Sequence, residues 1–179
     1  HGIFFAGNTT EEVDELACEG MDVIAHAITK QPDLTAIEYD RKRVVAISPV
    51  LRALYGETEP AIVKFVTNPE ILSYDPQTKS LSPDHIVYAK AKQLVLPENV
   101  TQDEIQVYFQ AFVAENGYKP KIAFVKGLGM FACGSTVQEA VIARDVMLDA
   151  IKVSCYAASF GGVSVMPDYL IDFIVNWEV

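Results

Sequence analysis

Apolar positions along the chain follow two periods, one typical of helices and one typical of strands. The stretches after Gly7 and after Gly134 place apolar side chains at the 3.6-residue spacing of an amphipathic helix. Short runs rich in β-branched and aromatic residues predict strands instead. These runs cover residues 61–66, 86–88, 94–96, 121–125 and 130–133, with a further short strand at 71–74.

Polar residues that can cap helices mark where several helices begin. In the pattern Thr-x-x-Glu, each side chain can accept a hydrogen bond from the other residue's backbone N–H. The pattern occurs at Thr9, Thr101 and Thr136 and predicts a helix after each. Asp40 predicts the start of another helix, which runs towards Ile47.

Prolines and glycines divide the rest of the chain. Serine caps helices and proline suits their first position, so Ser48 and Pro49 predict a new helix, which Gly56 ends. Gly117 predicts the end of the helix that follows Thr101, because glycine commonly terminates helices. Pro167 predicts the start of a short last helix.

The order of these elements indicates an α/β fold. Several predicted strands are joined by short loops, and a helix does not follow every strand. A doubly wound parallel sheet would need a long crossover between its strands. We therefore expect three layers, α/β/α, around a mixed and mostly antiparallel sheet.

One stretch of the chain occurs twice, 127 residues apart. Each copy predicts a strand, a turn and a helix, and His1 of the first copy corresponds to Leu128 of the second. The identities fall on glycines, a core aromatic residue and a helix start: Gly2 and Gly129, Phe4 and Phe131, Gly7 and Gly134, Thr9 and Thr136, Glu12 and Glu139, Asp22 and Asp149, Ile24 and Ile151. A loop in one copy and a strand in the other would make the repeat a coincidence.

Composition and charge narrow the classes of function. The 179 residues suffice for one domain of ordinary size, and no apolar run approaches the roughly 20 residues of a membrane span. A net charge of −10 argues against a nucleic-acid surface, which needs clustered Lys and Arg. Cys18, Cys133 and Cys155 lack Cys-x-x-Cys spacing, which favours free, buried thiols in a reducing compartment.

A glycine-rich stretch imitates a nucleotide-binding loop. Gly127, Gly129 and Ala132 fit the dinucleotide pattern G-x-G-x-x-A after a predicted strand. That site needs a helix at the second glycine and an acidic residue about 20 residues further on. Here the next helix cap comes only at Thr136, and the lysine of a phosphate-binding P-loop is missing as well. The sequence therefore argues against a nucleotide site.

Two segments resemble the class II aldolase/adducin family. Residues 1–9, His-Gly-Ile-Phe-Phe-Ala-Gly-Asn-Thr, resemble the family's H-G-x-x-x-x-G-x-T segment. Residues 120–139 and Ser-Pro-Asp-His at 82–85 look like the region after the aldolase domain in large bacterial proteins. Those proteins are similar to L-rhamnulose-1-phosphate aldolases and often continue into a short-chain dehydrogenase. The resemblance implies a class II aldolase-like fold for nearly the whole chain.

The resemblance also implies a zinc-dependent aldehyde-lyase that cleaves a ketose 1-phosphate in the cytoplasm. In that family the histidine of the first segment is the last of three zinc ligands, so His1 here would be an incomplete metal site. The corresponding residue of the second copy, Leu128, cannot bind zinc. We therefore expect zinc in the full-length protein, but no zinc and no catalytic residue in this segment.

The resemblance further implies two domains in a fragment of a longer protein. We expect residues 1–30 to be the tail of a preceding aldolase domain and residues 31–179 to be a second, degenerate aldolase-like domain. The segment would then support or assemble a sugar-phosphate lyase. The alternative is an adducin-like, non-catalytic module for binding or oligomerisation, and a piece of a short-chain dehydrogenase is a distant third.

Four polar residues form the candidate ligand pocket, at the place where the family's first domain binds its substrate phosphate. They are Asn68, Ser82, Asp84 and His85. The alternative is that Ser82 and Asp84 only build a turn. The expected partner is a sugar phosphate, with no nucleic acid and no membrane, and a homo-oligomer remains open.

Overall fold

The computed structural model describes residues 3–56 and 61–177. Its helices are α1 (Thr10–Ala27), α2 (Arg41–Gly56), α3 (Pro69–Ser73), α4 (Gln102–Asn116), α5 (Val137–Ala157) and α6 (Asp168–Val175). Its strands are β1 (Ile62–Val66), β2 (Leu94–Leu96), β3 (Ile122–Val125) and β4 (Gly129–Gly134). A π-helical turn at His85–Ala89 and a 3-10 turn at Ala158–Phe160 complete the set.

The four strands form one mixed sheet in the order β1-β4-β3-β2. Strand β4 is antiparallel to both of its neighbours, β1 and β3, whereas β2 is parallel to β3. The α/β class and the mixed, mostly antiparallel sheet predicted from the sequence are confirmed. Strand β2 lies at one edge, so one side of it lacks a neighbouring strand in the described part of the chain.

Alternate residues of the central strands enter two separate hydrophobic clusters, as the two-residue period of a strand requires. On one face, Val125 of β3 and Phe131 of β4 pack with α2 and α4. On the other face, Phe124 and Met130 pack with α5 and α3. Helices therefore cover both faces of the sheet.

Two predicted strands are wrong, and both segments form short helices. Residues 71–73 belong to α3 and Tyr74 is its C-cap, because the side chain of Asn68 accepts the N–H of Ile71 at 2.8 Å and Pro69 occupies the first helical position. Residues 86–88 lie in the π-helical turn, which packs on α5 and ends at Lys90, where φ is 68°. Both are short apolar runs, whose type periodicity alone does not decide.

The predicted restart of a helix at Ser48 is also wrong. Helix α2 runs through this point without interruption, and Pro49 lies inside it. The Ser48 hydroxyl donates to the Val44 carbonyl at 2.7 Å instead of capping a new helix. Because Ile47 and Leu51 are both buried in the same cluster, packing offsets the backbone hydrogen bond that proline removes.

The two copies of the repeat agree at their helix starts and differ in their strands. Thr9 and Thr136 are both N-caps, and each accepts the N–H of the glutamate three residues later at 3.1 Å. Residues 129–134 form β4, whereas residues 3–7 form no strand, so the predicted first strand is wrong. By that criterion the strands count against a duplication, although the caps agree. His1 and Gly2 lie outside the described residues.

The cysteines differ in their surroundings. Cys133 and Cys155 are buried free thiols, as predicted, but Cys18 is exposed on α1, contrary to the expectation for all three. Burial raises the pKa of Cys133 to about 12, which keeps this thiol protonated and unreactive at neutral pH. Among the described helices, none combines the length and the apolar character that crossing a membrane requires.

Candidate functional site

A cavity of about 330 Å³ lies between α3, the loop that follows it and the turn between β3 and β4. Val95 and Phe124 form an apolar floor on the sheet. Asp75, Gln77 and Lys126 supply polar groups at its walls. A pocket with an apolar floor and a few polar groups is the usual form of a small-molecule site.

The turn that borders this cavity has little freedom to move. The Lys126 N–H donates to the Leu96 carbonyl at 3.0 Å, and the Leu128 N–H donates to Val125 at 3.0 Å. Gly127 has a φ of 67°, which favours glycine. At Gly129 a Cβ atom would lie 2.7 Å from the Val66 carbonyl oxygen, so no side chain fits there. These glycines serve a tight turn and a close strand contact, and no helix begins there.

A second cavity, of about 500 Å³, adjoins the first along the edge strand β2. The two share Pro76, Gln77 and Val95, and we call them together the edge groove. The second cavity adds the cations Lys79 and Lys92. With Lys126, the groove therefore carries three cationic side chains.

The ion pairs of these two lysines are exposed. The Lys79 ammonium lies 2.7 Å from an Asp168 oxygen, and the Lys92 ammonium lies 3.4 Å from Glu115. Each of the four side chains is more than half exposed. Exposed pairs of this kind contribute only about 0 to 1 kcal/mol. An anionic ligand could therefore displace either carboxylate at little cost.

The described residues do not fit a catalytic metal. Residues 3–56 and 61–177 contain no group of three or more His, Cys, Asp or Glu side chains that could hold an ion. Leu128, which corresponds to His1, is only 3% exposed and packs in the core with Phe131. Beside the next residue, Gly129, the Thr67 hydroxyl is buried without a hydrogen-bond partner among the described residues, but one hydroxyl does not make a zinc site.

Three of the four predicted pocket residues lie outside the edge groove. Asn68 is buried and caps α3. Asp84 precedes the π-helical turn, is exposed and makes no side-chain cap, and Ser82 lies two residues before it, partly buried. Neither cavity of the edge groove is lined by Asn68, Ser82 or Asp84. The proposed phosphate pocket therefore stays a prediction.

His85, the fourth, lies against the protein interior. It lines a narrow space of about 10 Å³ beside Met147, and its Nδ1 accepts the N–H of Leu81 at 3.2 Å. That bond requires the neutral ring. Burial lowers the pKa of His85, although Asp149 and Asp84 act in the opposite direction.

The residues of the edge groove are not among those that the sequence predicts for a site. Asp75, Gln77 and Lys79 lie in an Asp-Pro-Gln-Thr-Lys segment with the composition of a loop. Polar residues in loops often carry function, and that is the one signal that could have drawn attention to them. Their approach to Lys126, about 50 residues later in the chain, depends on the tertiary structure.

The structure resembles solved structures of an aldolase and of YgbL, although no protein-family model and no curated protein matches the sequence. L-fuculose 1-phosphate aldolase superposes with a TM-score of 0.53 at 14% identity, over 98% of this chain and 98% of that chain. YgbL from Klebsiella pneumoniae gives a TM-score of 0.53 at 12% identity, over 74% of this chain. YgbL from Escherichia coli gives 0.50 at 13% identity, again over 74%. The chain spans 64% of each YgbL chain.

Identities of 12 to 14% show a shared fold and carry no activity with them. The similarity to L-fuculose 1-phosphate aldolase extends over nearly the whole of both chains. This chain therefore shares its overall fold with L-fuculose 1-phosphate aldolase.

Proposed function

We propose that this chain is a non-catalytic, aldolase-fold part of a class II aldolase-like protein that cleaves a sugar phosphate. The catalytic zinc of such a protein would be held by residues other than those described here. The observation that carries the proposal is Leu128, a buried core residue at the position of the histidine in the first copy of the repeat.

The role of Leu128 in the core supports a structural function for this chain, with the zinc chemistry in another part of the protein. A zinc ligand must present a nitrogen, oxygen or sulfur atom to the ion, and a leucine has none. Leu128 belongs instead to the hydrophobic cluster that packs α2 and α4 against the sheet. The position contributes to stability, so the segment fits the support or assembly of an enzyme whose chemistry takes place elsewhere.

A second candidate function is ligand binding in the edge groove, in the manner of a non-catalytic, adducin-like module. Lys79, Lys92 and Lys126 offer ammonium groups to a phosphate, and Gln77 offers an amide to sugar hydroxyls. The apolar floor suits the carbon skeleton of a sugar. The observation that favours this candidate is the continuity of the two cavities.

The test combines metal analysis with a cleavage assay. We expect the 179-residue chain to bind well below one zinc per chain and to leave ketose 1-phosphates intact. The natural protein that contains the chain should cleave them, and a chelator should abolish the cleavage. Stoichiometric zinc in the 179-residue chain, or cleavage by it, would contradict the proposal.

Calorimetry with sugar phosphates separates the second candidate from the first. If the edge groove is the site, Lys126→Gln should weaken binding about tenfold, the scale of one lost charge-assisted hydrogen bond. Lys152→Gln is the matched control, because Lys152 is a lysine on α5 whose side chain is 45% exposed and lies outside both cavities. Equal binding by the two variants would exclude the groove.

A further inference from the structure

Helix α1 has an apolar face that the rest of the described chain covers only in part. None of its 18 residues is buried, and Leu16 and Val23 are 40% and 66% exposed. At its end, the N–H of Thr29 donates to the Ser159 hydroxyl at 3.0 Å, and Lys30 pairs with Glu70 at 3.4 Å. The helix is thus held to the body at its C-terminal end while its apolar face stays open.

A comparison with α5, which begins with the same type of cap, indicates what this face is suited to contact, and it requires only that the two helices share their apolar spacing. Six residues of α5 are buried: Ala140, Ala143, Met147, Ala150, Ile151 and Cys155. A shift of 127 residues places apolar residues or glycine of the first copy at all six positions, and we call them the α1 face: Val13, Leu16, Gly20, Val23, Ile24 and Ile28. In α5 the equivalent positions lie against the sheet and the short helices beside it. The α1 face therefore has the pattern of a helix that packs on a sheet.

Contacts within the first copy support this equivalence. Phe5 packs on Gly20, since a Cβ atom at Gly20 would lie 2.7 Å from the Phe5 ring. The equivalent pair in the second copy, Ala132 and Met147, shares one buried cluster. The large and small residues are exchanged between strand and helix, which conserves the volume of the pair as core packing requires.

We propose that the α1 face packs on the β-sheet of a further aldolase-fold unit, carried by the same polypeptide ahead of residue 1. This proposal rests on the proposed function, in which the chain is one part of a larger aldolase-like protein. Strand β4 is paired on both of its edges. The partner sheet must therefore supply a strand on each side of residues 3–6, and α1 would cover one face of that sheet.

A second copy of this chain does not fit the α1 face. The sheet of the described chain already has helices on both faces, so a copy has no free sheet to offer. Two α1 helices packed on each other would also bring their charges together. Each carries six acidic residues, and His26 is the one basic side chain among Thr10–Ala27. Like charges at such short range repel.

The test compares hydrogen exchange in the natural protein and in the 179-residue chain. We expect the natural polypeptide to exceed 19.7 kDa in mass, and α1 amides to exchange at least about tenfold more slowly in it than in the short chain. Amides of α5 should exchange alike in both. A natural polypeptide of 19.7 kDa, or equal α1 exchange in the two proteins, would overturn the proposal.

Two substitutions in the natural protein sharpen the result. Val23→Asp places a charge on the α1 face and should speed the exchange of α1 about tenfold, because burying an unpaired charge is costly. Cys18→Asp is the control, since Cys18 is exposed and its counterpart in α5 is the exposed Asp145. No difference between the two variants would overturn the proposal. Aldol cleavage is measured separately. Fast α1 exchange in a natural protein that still cleaves its substrate would contradict only the docking proposal. Stoichiometric zinc in the 179-residue chain would contradict only the proposed function.

Discussion

The two copies of the repeat share a local code for starting a helix and obtain the same local structure from it. In the first copy the Asn8 N–H donates to the Glu12 carboxylate at 2.7 Å, and in the second the Ser135 N–H donates to Glu139 at 3.0 Å. These bonds join residues four apart in sequence. They form in an exposed helix and in a buried one alike, because all the participating groups are close along the chain.

The strands of the two copies show the opposite behaviour. Phe131 in β4 is fully buried between paired strands, whereas its counterpart Phe4 is 91% exposed in a segment without a strand. An extended segment becomes a strand only when neighbouring strands take its backbone hydrogen bonds. The comparison shows that the residues of each copy are sufficient to start the helix, whereas the strand forms only where neighbouring strands pair with it.

The largest expected contrast uses the same residue at equivalent positions. Ile151 on α5 is 2% exposed, and Ile151→Ala should lower the free energy of unfolding by about 2 to 5 kcal/mol, because it leaves a cavity. Ile24→Ala on α1 should cost less than about 1 kcal/mol in the 179-residue chain, since Ile24 is only partly buried. Chemical denaturation measures both, and equal losses would contradict the view that α1 lacks a packed partner.

The closing glycines of the two copies give the next contrast. A Cβ atom at Gly134 would lie 2.5 Å from the backbone nitrogen of Ala140, so Gly134→Ala should cost about 1 to 3 kcal/mol through overpacking. At Gly7 the nearest atom is the flexible Glu12 Cγ at 3.0 Å, and Gly7→Ala should cost under about 0.5 kcal/mol. Thermal unfolding of both variants tests this order, and a larger loss at Gly7 would reverse it.

Loss of the two N-caps should have different effects on stability, one on the whole chain and one on α1 alone. Thr136→Ala should lower the stability of the whole chain by about 1 kcal/mol, the usual cost of a lost cap. Thr9→Ala removes an identical bond but should mainly fray α1, because none of its residues is buried. Calorimetry reports the first effect and hydrogen exchange of α1 the second. Equal calorimetric losses would show that α1 unfolds together with the body.

Local signals predicted the helices better than the strands. The caps at Thr9, Thr101 and Thr136 were all found, and Thr101 forms a complete capping box with Glu104. Predicted strands were correct where another strand pairs with them. Residues 86–88 form a helical turn instead, and a pairing partner is not visible in the local sequence.

The candidate site was less predictable than the fold. The sequence predicts Asn68 as a residue of a ligand pocket, and the contact that its side chain makes in the structure is a helix cap. The edge groove brings Gln77 of one loop next to Lys126 of a distant turn. Such a meeting depends on the strand order β1-β4-β3-β2, which no short sequence pattern encodes. Site geometry thus requires the assembled sheet, whereas a cap requires only its own turn.

The smallest expected effect is a pH dependence of stability, and it concerns the two described histidines, His26 on α1 and His85 in the turn that packs on α5. The pKa of His85 is lowered by burial, so the unfolded chain takes up a proton at a higher pH than the folded chain. The stability contributed by the neutral ring is therefore present above about pH 6.5, the ordinary value for histidine, and is lost as the pH falls further. The loss should stay below about 1 kcal/mol, the usual worth of one hydrogen bond, because the His85 ring is only partly buried.

Two variants isolate this contribution. His85→Asn keeps an acceptor for the Leu81 N–H but cannot be protonated, so it should flatten the fall in unfolding free energy between pH 7.5 and 5. His26 provides the control, because it is an exposed histidine on α1, a helix with no buried residue. His26→Gln should therefore leave the pH slope of the parent unchanged. If His26→Gln flattens the slope and His85→Asn does not, the pH dependence of the unfolding free energy comes from His26 on α1, and the assignment to His85 is wrong.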